Sequence, residues 1–137
     1  MNALTNALHD LLAADLILTA LLGVYAGEAA IFTTDPAPGD AVLPYIVSAG
    51  NVAAGSFDTK QTRGSTTTRD IRCYAPSGGS AITVEAIAER VRELLHRQPV
   101  SIYGYNWIMS ECSGPIAADE PDAYGRVVTL TITFEEI

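Results

Sequence analysis

The chain has 137 residues, 48% of them hydrophobic, which suffices for one folded unit with a substantial core and leaves little room for two. Sixteen acidic residues against eight basic ones give a formal charge of -8, and this excess argues against a groove that grips double-stranded nucleic acid, which must present Lys and Arg to displace counterions. Two cysteines, Cys73 and Cys112, are too few for a disulfide framework or a cysteine-rich zinc site and are expected as reduced, half-buried strand residues.

Leu4, Leu8, Leu11 and Leu12 recur at helical spacing with His9 and Asp10 on the other side, which predicts an amphipathic helix over about residues 3–13. Asp15 reads as the cap of a short second helix that turns Leu18, Leu21 and Leu22 inward. Gly23 is expected to stop that helix by accepting a backbone angle other residues resist. Between Val24 and Leu43, the residues Gly27, Pro36, Pro38 and Gly39 predict an irregular connection with one short strand near Ala30–Thr33. Pro44 to Gly50 opens a strand that continues, with bends at Gly50 and Gly55, to about Asp58. Its partner runs from Thr66 to Tyr74, where Ile71 and Cys73 alternate with Arg72 and Tyr74; between the two, Thr59 to Ser65 forms a polar, basic hairpin tip.

After a turn at Ala75 to Gly79 comes the clearest element, a helix from about Ser80 to Arg97 with Val84, Ile87, Ala88, Val91, Leu94 and Leu95 in one stripe. Ser80 is placed to accept free amides at its start, Glu85 lies near the positive end, His96 and Arg97 lie near the negative end, and Pro99 prevents continuation. Ser101 to Glu111 reads as a strand with Tyr103, Tyr105, Trp107 and Met109 on one side. The last strand, Tyr124 to Glu135, sets Val128, Leu130, Ile132 and Phe134 against Val127, Thr129, Thr131 and Thr133. This order predicts an α+β fold in one domain spanning residues 1–137, with an antiparallel sheet of two long hairpins covered on one face by helices.

The apolar run Leu16 to Val24 lacks the positively charged leader of a secretion signal and is shorter than the ~20 residues a membrane helix needs, so no membrane association and a cytoplasmic, soluble chain are expected. Residues 1–59 contain six carboxylates and no Lys or Arg, whereas Lys60, Arg63, Arg69 and Arg72 fall within thirteen positions opposed only by Asp70. Glu111, Asp119, Glu120 and Asp122 form an acidic cluster further on. Opposite patches suit a subunit that docks head to tail on copies of itself, while ordinary solvated loops give the same pattern. The Asp58–Thr68 hairpin is the expected docking arm, with Lys60, Arg63 and Arg69 as the residues that meet an acidic neighbour.

No reactive centre is legible. His9 and His96 sit at helix-surface and helix-end positions, and neither belongs to a metal-ligand spacing. Ser56, Ser65 and Ser77 lie outside any nucleophile elbow, and Gly78-Gly79-Ser80 lacks the lysine of a phosphate loop, so a helix cap explains it better. Tyr103, Tyr105 and Trp107 resemble a base-stacking platform, but their strand carries no basic residue, and a core or subunit interface is the preferred reading. No catalytic residue, metal or cofactor is therefore expected, and the chain is read as a non-enzyme.

Several phrases carry a family resemblance: the Leu-rich opening helix (Leu4 to Leu12), Leu43-Pro44-Tyr45-Ile46-Val47, Arg69-Asp70-Ile71-Arg72-Cys73-Tyr74-Ala75 running into a Glu-Ala-Ile-Ala-Glu helix, and the closing strand Arg126 to Phe134. Over nearly its whole length the chain is similar to the phage tail-completion proteins, which include the tail terminators of siphophages and gene-transfer particles. The Pro-rich Gly27 to Gly39 connection departs from that pattern. The resemblance implies a structural virion protein of the tail and neck, assembled in the host cytoplasm. It implies a ring, expected to be hexameric, that caps the finished tail tube and presents a surface to the head connector. The partners so implied are the chain itself, the tail-tube protein and head connector or adaptor proteins, with DNA passing through unbound. A wall bearing carboxylates repels phosphates, and Glu111, Asp119, Glu120 and Asp122 are the expected lumen residues. Two alternatives stand beside this: a head-to-tail connector or adaptor subunit, and a small nucleic-acid or ligand binding domain built on the aromatic strand.

Overall fold

The computed structural model describes residues 2–33, 37–48, 50, 52–56, 58, 63–77 and 81–137. Helix α1 (Asn2–Ala14) buries Leu4, Leu8 and Leu12, one residue per turn, against the core. Asp15 then leaves the helical region and its carboxylate accepts the Leu18 amide at 2.8 Å, starting α2 (Leu16–Leu21) as the capping rule requires. The same carboxylate receives two bonds from Arg90, at 2.8 and 2.9 Å, which ties the α1–α2 corner to the third helix.

Gly23 does not end α2 in the way its residue type suggested. The closing residue is Leu22, in extended conformation, and Gly23 has no left-handed angle. Its missing side chain serves a close approach instead, because a Cβ there would lie 3.0 Å from the Val42 carbonyl oxygen. The following connection is more ordered than its composition suggested. Strands β1 (Val24–Tyr25) and β2 (Glu28–Ala29) form a two-stranded ladder around Ala26 and Gly27, both at positive φ. Strand β3 (Ile31–Phe32) falls within the expected short strand.

The expected 44–58 strand divides into β4 (Tyr45–Val47) and β5 (Ala53–Ser56), and Gly50 between them has φ 68°. Both pair antiparallel with the long β6 (Gly64–Pro76), β4 against residues 72–74 and β5 against 65–68. Helix α3 (Ile82–Leu95) follows, and then β7 (Tyr105–Ala117) and β8 (Ala123–Glu136). The residue capping α3 is Ala81, with no side-chain bond to the helix; Ser80 lies outside the described residues. The main sheet has the order β3-β4-β6-β8-β7, with β5 also on β6, and every pairing is antiparallel except β3 with β4. The β6–β8 ladder runs without a break from Gly64↔Glu135 to Pro76↔Ala123 and is the axis of the molecule.

Side-chain alternation on that axis decides which face is buried. Ile71, Cys73 and Ala75 of β6 and Val128, Leu130 and Ile132 of β8 point to one side, where they meet Val84, Ile87, Ala88, Val91 and Leu95 of α3 and the leucines of α1 and α2. Among the described residues the other side carries no helix. It presents threonines paired across the strands, Thr66 with Thr133 at 3.2 Å and Thr68 with Thr131 at 3.4 Å, followed by Thr129 donating to Asp70 at 2.8 Å. The fold is thus α+β with helices on one face, as the sequence order requires.

Candidate assembly surfaces

At one end of the β6–β8 axis Arg63 stands beside Asp58, Glu135 and Glu136, so the expected basic tip is not a basic patch among the described residues. Arg63 is exposed there, and its carbonyl accepts the Glu136 amide at 2.7 Å while Asp58 accepts the Gly64 amide at 3.3 Å, closing the hairpin base. Lys60 lies outside the described residues. Arg69 does not belong to this end. It is 1% exposed, among the largest fully enclosed side chains, and that burial pulls its pKa below the ordinary guanidinium value. The reason is parity: positions 67, 69, 71 and 73 of β6 all turn to the helix-covered face, so Arg69 is corrected from a docking residue to an interior one. Arg72, one step out of that phase, is exposed.

The opposite end is acidic, and the structure divides the expected carboxylates. Asp119 is held within the chain, accepting the Gly125 amide at 3.0 Å and Arg126 at 3.1 Å, while Arg126 also reaches Glu85 of α3 at 3.3 Å. Glu120 and Asp122 are exposed on the tight β7–β8 turn, where the Glu120 and Ala123 backbones pair. Glu111 is not with them. It lies eight residues back, about 25 Å along β7 at ~3.3 Å per residue, facing Thr131 on the helix-free side and 3.7 Å from Arg97.

Beside Glu120 and Asp122 is a cleft of about 400 Å³ that no single sequence segment announces. Tyr45 and Val47 of β4, Arg72 and Tyr74 of β6, and the two turn carboxylates line it. Tyr45 and Tyr74 meet in its wall at 5.4 Å between ring centroids, and behind them a chain of rings continues from Tyr45 to Phe32 at 5.6 Å and from Phe32 to Tyr25 at 5.2 Å. Burial raises the Tyr45 phenol above its usual range, helped by the nearby Tyr74 and Glu120. The Tyr45↔Tyr74 register is what assembles the wall, and it is a long-range pairing the local pattern does not reveal.

The expected grouping of Tyr103, Tyr105 and Trp107 on one side of one strand is corrected. Strand β7 begins at Tyr105, not Ser101, because residues 101–104 turn at Gly104, whose φ is 84°. Tyr103 precedes the strand and is 93% exposed. Tyr105 and Trp107 face inward instead: the Tyr105 ring packs edge-on against Phe134 at 5.2 Å, and the Trp107 indole donates to Ser110 Oγ at 3.2 Å. A register shift between Trp107 and Met109 then breaks the alternation, so Ile108 and Met109 are both partly exposed. The three aromatics do not form one platform.

Ser110 sits where α3 meets β7. It is fully buried, and its hydroxyl lies 2.7 Å from the Leu95 carbonyl and 3.1 Å from that of Gln98. Beside it, His96 Nδ1 accepts the Cys112 amide at 3.0 Å and the Ser110 carbonyl accepts the Arg97 amide at 2.8 Å. Among the described residues no group of His, Cys, Asp and Glu side chains is arranged to hold a metal ion, and no helix is long and apolar enough to cross a membrane.

The fold is shared with solved proteins. Twelve solved chains match this fold, among them a chain of the "Virion of native gene transfer agent (GTA) particle", with a TM-score of 0.77 and 19% identity over 98% of this chain and 96% of that one. No curated protein matches. The profile of the family described as "Tail completion protein gp17" matches residues 6–135, and the chain belongs to that family of structural phage-tail proteins.

Proposed function

We propose that the chain, acting as one unit over residues 1–137, forms a homo-oligomeric ring, six copies round, that terminates the tail tube and joins it to the head connector. Membership of the tail-completion family supplies the setting, and the helix-free face of the sheet carries the reading. A subunit that lines a DNA passage must offer the duplex nothing to hold. The face with Thr66, Thr68, Asp70, Thr129, Thr131 and Glu111 suits that duty, since hydroxyls spend their bonds across the strands and carboxylates repel phosphates, the exposed Arg72 near its end being the exception. Glu111 is the lumen residue of this wall, and Asp119, Glu120 and Asp122 stand at its end. The partners are further copies, the tail-tube protein and connector or adaptor proteins, assembled in the host cytoplasm and kept in the virion neck. The alternative of a single-stranded nucleic-acid platform is disfavoured, because Tyr105 and Trp107 turn to the core.

Negative-stain imaging and native mass measurement of the concentrated protein, alone and with tail-tube protein, test this reading. Rings, free or seated on tube ends, are expected. A strictly monomeric chain even in the presence of tail-tube protein removes the proposal.

A further inference from the structure

The outer face of α2 is apolar where a solvated helix would be polar. Leu16, Ile17 and Ala20 share one side of it, turned away from the buried Leu18, and Leu16 is 83% exposed. The strip continues past the helix end. The Gly23 amide donates to the Pro44 carbonyl at 2.8 Å and the Tyr25 hydroxyl donates to Asp40 at 2.8 Å, which holds the 40–44 segment against β1 and sets Val42 next to the Gly23–Val24 corner. Val24 is 66% and Val42 59% exposed, so large aliphatic side chains from two separate segments lie open along one corner. We propose that this strip seats a different virion protein, through a segment whose aliphatic side chains are flanked by lysine or arginine, a seating that rests on the tail and neck reading above.

The charge around the strip decides which partner fits. Residues 1–59 hold six carboxylates and no Lys or Arg. Glu28 is exposed across a groove from Thr19 on the flank of α2, and Asp40 stands two residues from Val42. Arg90 reaches this corner from α3, but its guanidinium is already bonded to Asp15 at 2.8 and 2.9 Å and to the exposed Glu93 at 3.0 Å. An apolar strip with an acidic rim attracts a cationic apolar segment and turns away an acidic one. A second copy of this chain is a poor occupant for that reason. Among the described residues its arginines are engaged at home or buried. Arg69 is interior, Arg63 stands among Asp58, Glu135 and Glu136, and Arg97 and Arg126 face Glu111 and Asp119. Arg92 shares a groove with Glu89 and Glu93, and Arg72 shares the tyrosine-lined cleft with Glu120 and Asp122. At a formal charge of -8, no described surface of a second copy brings the net positive charge this rim calls for.

Photochemistry in assembled particles identifies the occupant, with p-benzoylphenylalanine in place of Leu16 and, in a second preparation, of Ala20. Irradiation is expected to join these positions to a virion protein other than this chain, and digestion to place the adduct in a segment carrying Lys or Arg beside aliphatic residues. The double variant Leu16→Ser, Ile17→Ser changes only exposed side chains. It is expected to keep the parent's melting temperature and self-association, while its retention in purified particles falls by about tenfold or more. Glu28→Lys, which reverses part of the rim, is expected to lower retention too, and less so at high salt. Adducts with another copy of this chain, or loss of self-association in the double variant, overturn the seating and leave the ring reading intact. Adducts confined to a segment without Lys or Arg, or no adduct from either position, overturn it as well. A parent chain that forms no rings removes the ring reading alone, and the adduct still decides the seating.

Discussion

Replacing Ser110 by alanine tests how α3 is fastened to the sheet. The hydroxyl is fully buried, donates toward the Leu95 carbonyl at 2.7 Å with Gln98 at 3.1 Å as a second acceptor, and receives the Trp107 indole N–H at 3.2 Å. Alanine fills nearly the same space, so packing changes little and the loss is polar. A hydroxyl bond contributes about 1 kcal/mol net and a buried carbonyl deprived of its donor costs ~1–3 kcal/mol, so Ser110→Ala is expected to lower stability by about 2–3 kcal/mol. With a urea slope near ~2 kcal/mol per molar, the unfolding midpoint falls by about 1 M at unchanged slope. Trp107 is the only tryptophan, so its emission reports on the same site and is expected to shift to the red as the indole loses its partner. Trp107→Phe, which keeps the hydroxyl and both carbonyls together, costs less. A midpoint unchanged in Ser110→Ala, with unaltered emission, would refute the idea that this hydroxyl fastens the helix.

Asp15 carries a pH signature. Its bonds from Arg90, with the Leu18 amide, hold the carboxyl below the usual value of 3.8, so its stabilisation is fully present above that value and is lost as the pH falls through the lowered folded pKa. Asp15→Ala therefore loses about 1 kcal/mol of capping at neutral pH, plus the ion pair, and its stability converges with the parent's in acid; parallel curves down to pH 2 would contradict this. Gly125→Ala places a Cβ 2.2 Å from the Ala118 carbonyl oxygen and is expected to cost about 3 kcal/mol, whereas Gly39→Ala meets nothing within 4 Å and leaves the melting temperature nearly unchanged. Burial pushes the Cys73 thiol up to about 12 and the Cys112 thiol to about 11. A thiol reagent at pH 8 should therefore label neither in the folded chain and both after unfolding, and rapid labelling of the native protein would show that the β6–α3 layer opens.

Elements with a strong local period were legible in the sequence. The stripe Val84, Ile87, Ala88, Val91, Leu95 gave α3, and the alternation of β8 gave both its extent and its buried face, because one residue type recurs at the period of the backbone. The failures have a common cause in two-residue periodicity meeting an irregularity. Gly104 starts β7 four residues late, and the register shift after Trp107 exposes Ile108 and Met109 together. Arg69 was legible in principle: it shares parity with Ile71 and Cys73, although its charge lies in sequence among those of Lys60, Arg63 and Arg72. The cleft was not legible, since Tyr45, Tyr74 and Glu120 come from three separate parts of the chain and meet through pairings between distant residues.

The turn after α3 also governs how the sheet can grow. Residues 110 and 112 offer a carbonyl and an amide at the outer margin of β7, and Arg97 and His96 have already taken both. A foreign strand sliding alongside finds the middle of that margin filled, which interrupts any continuous ladder along it.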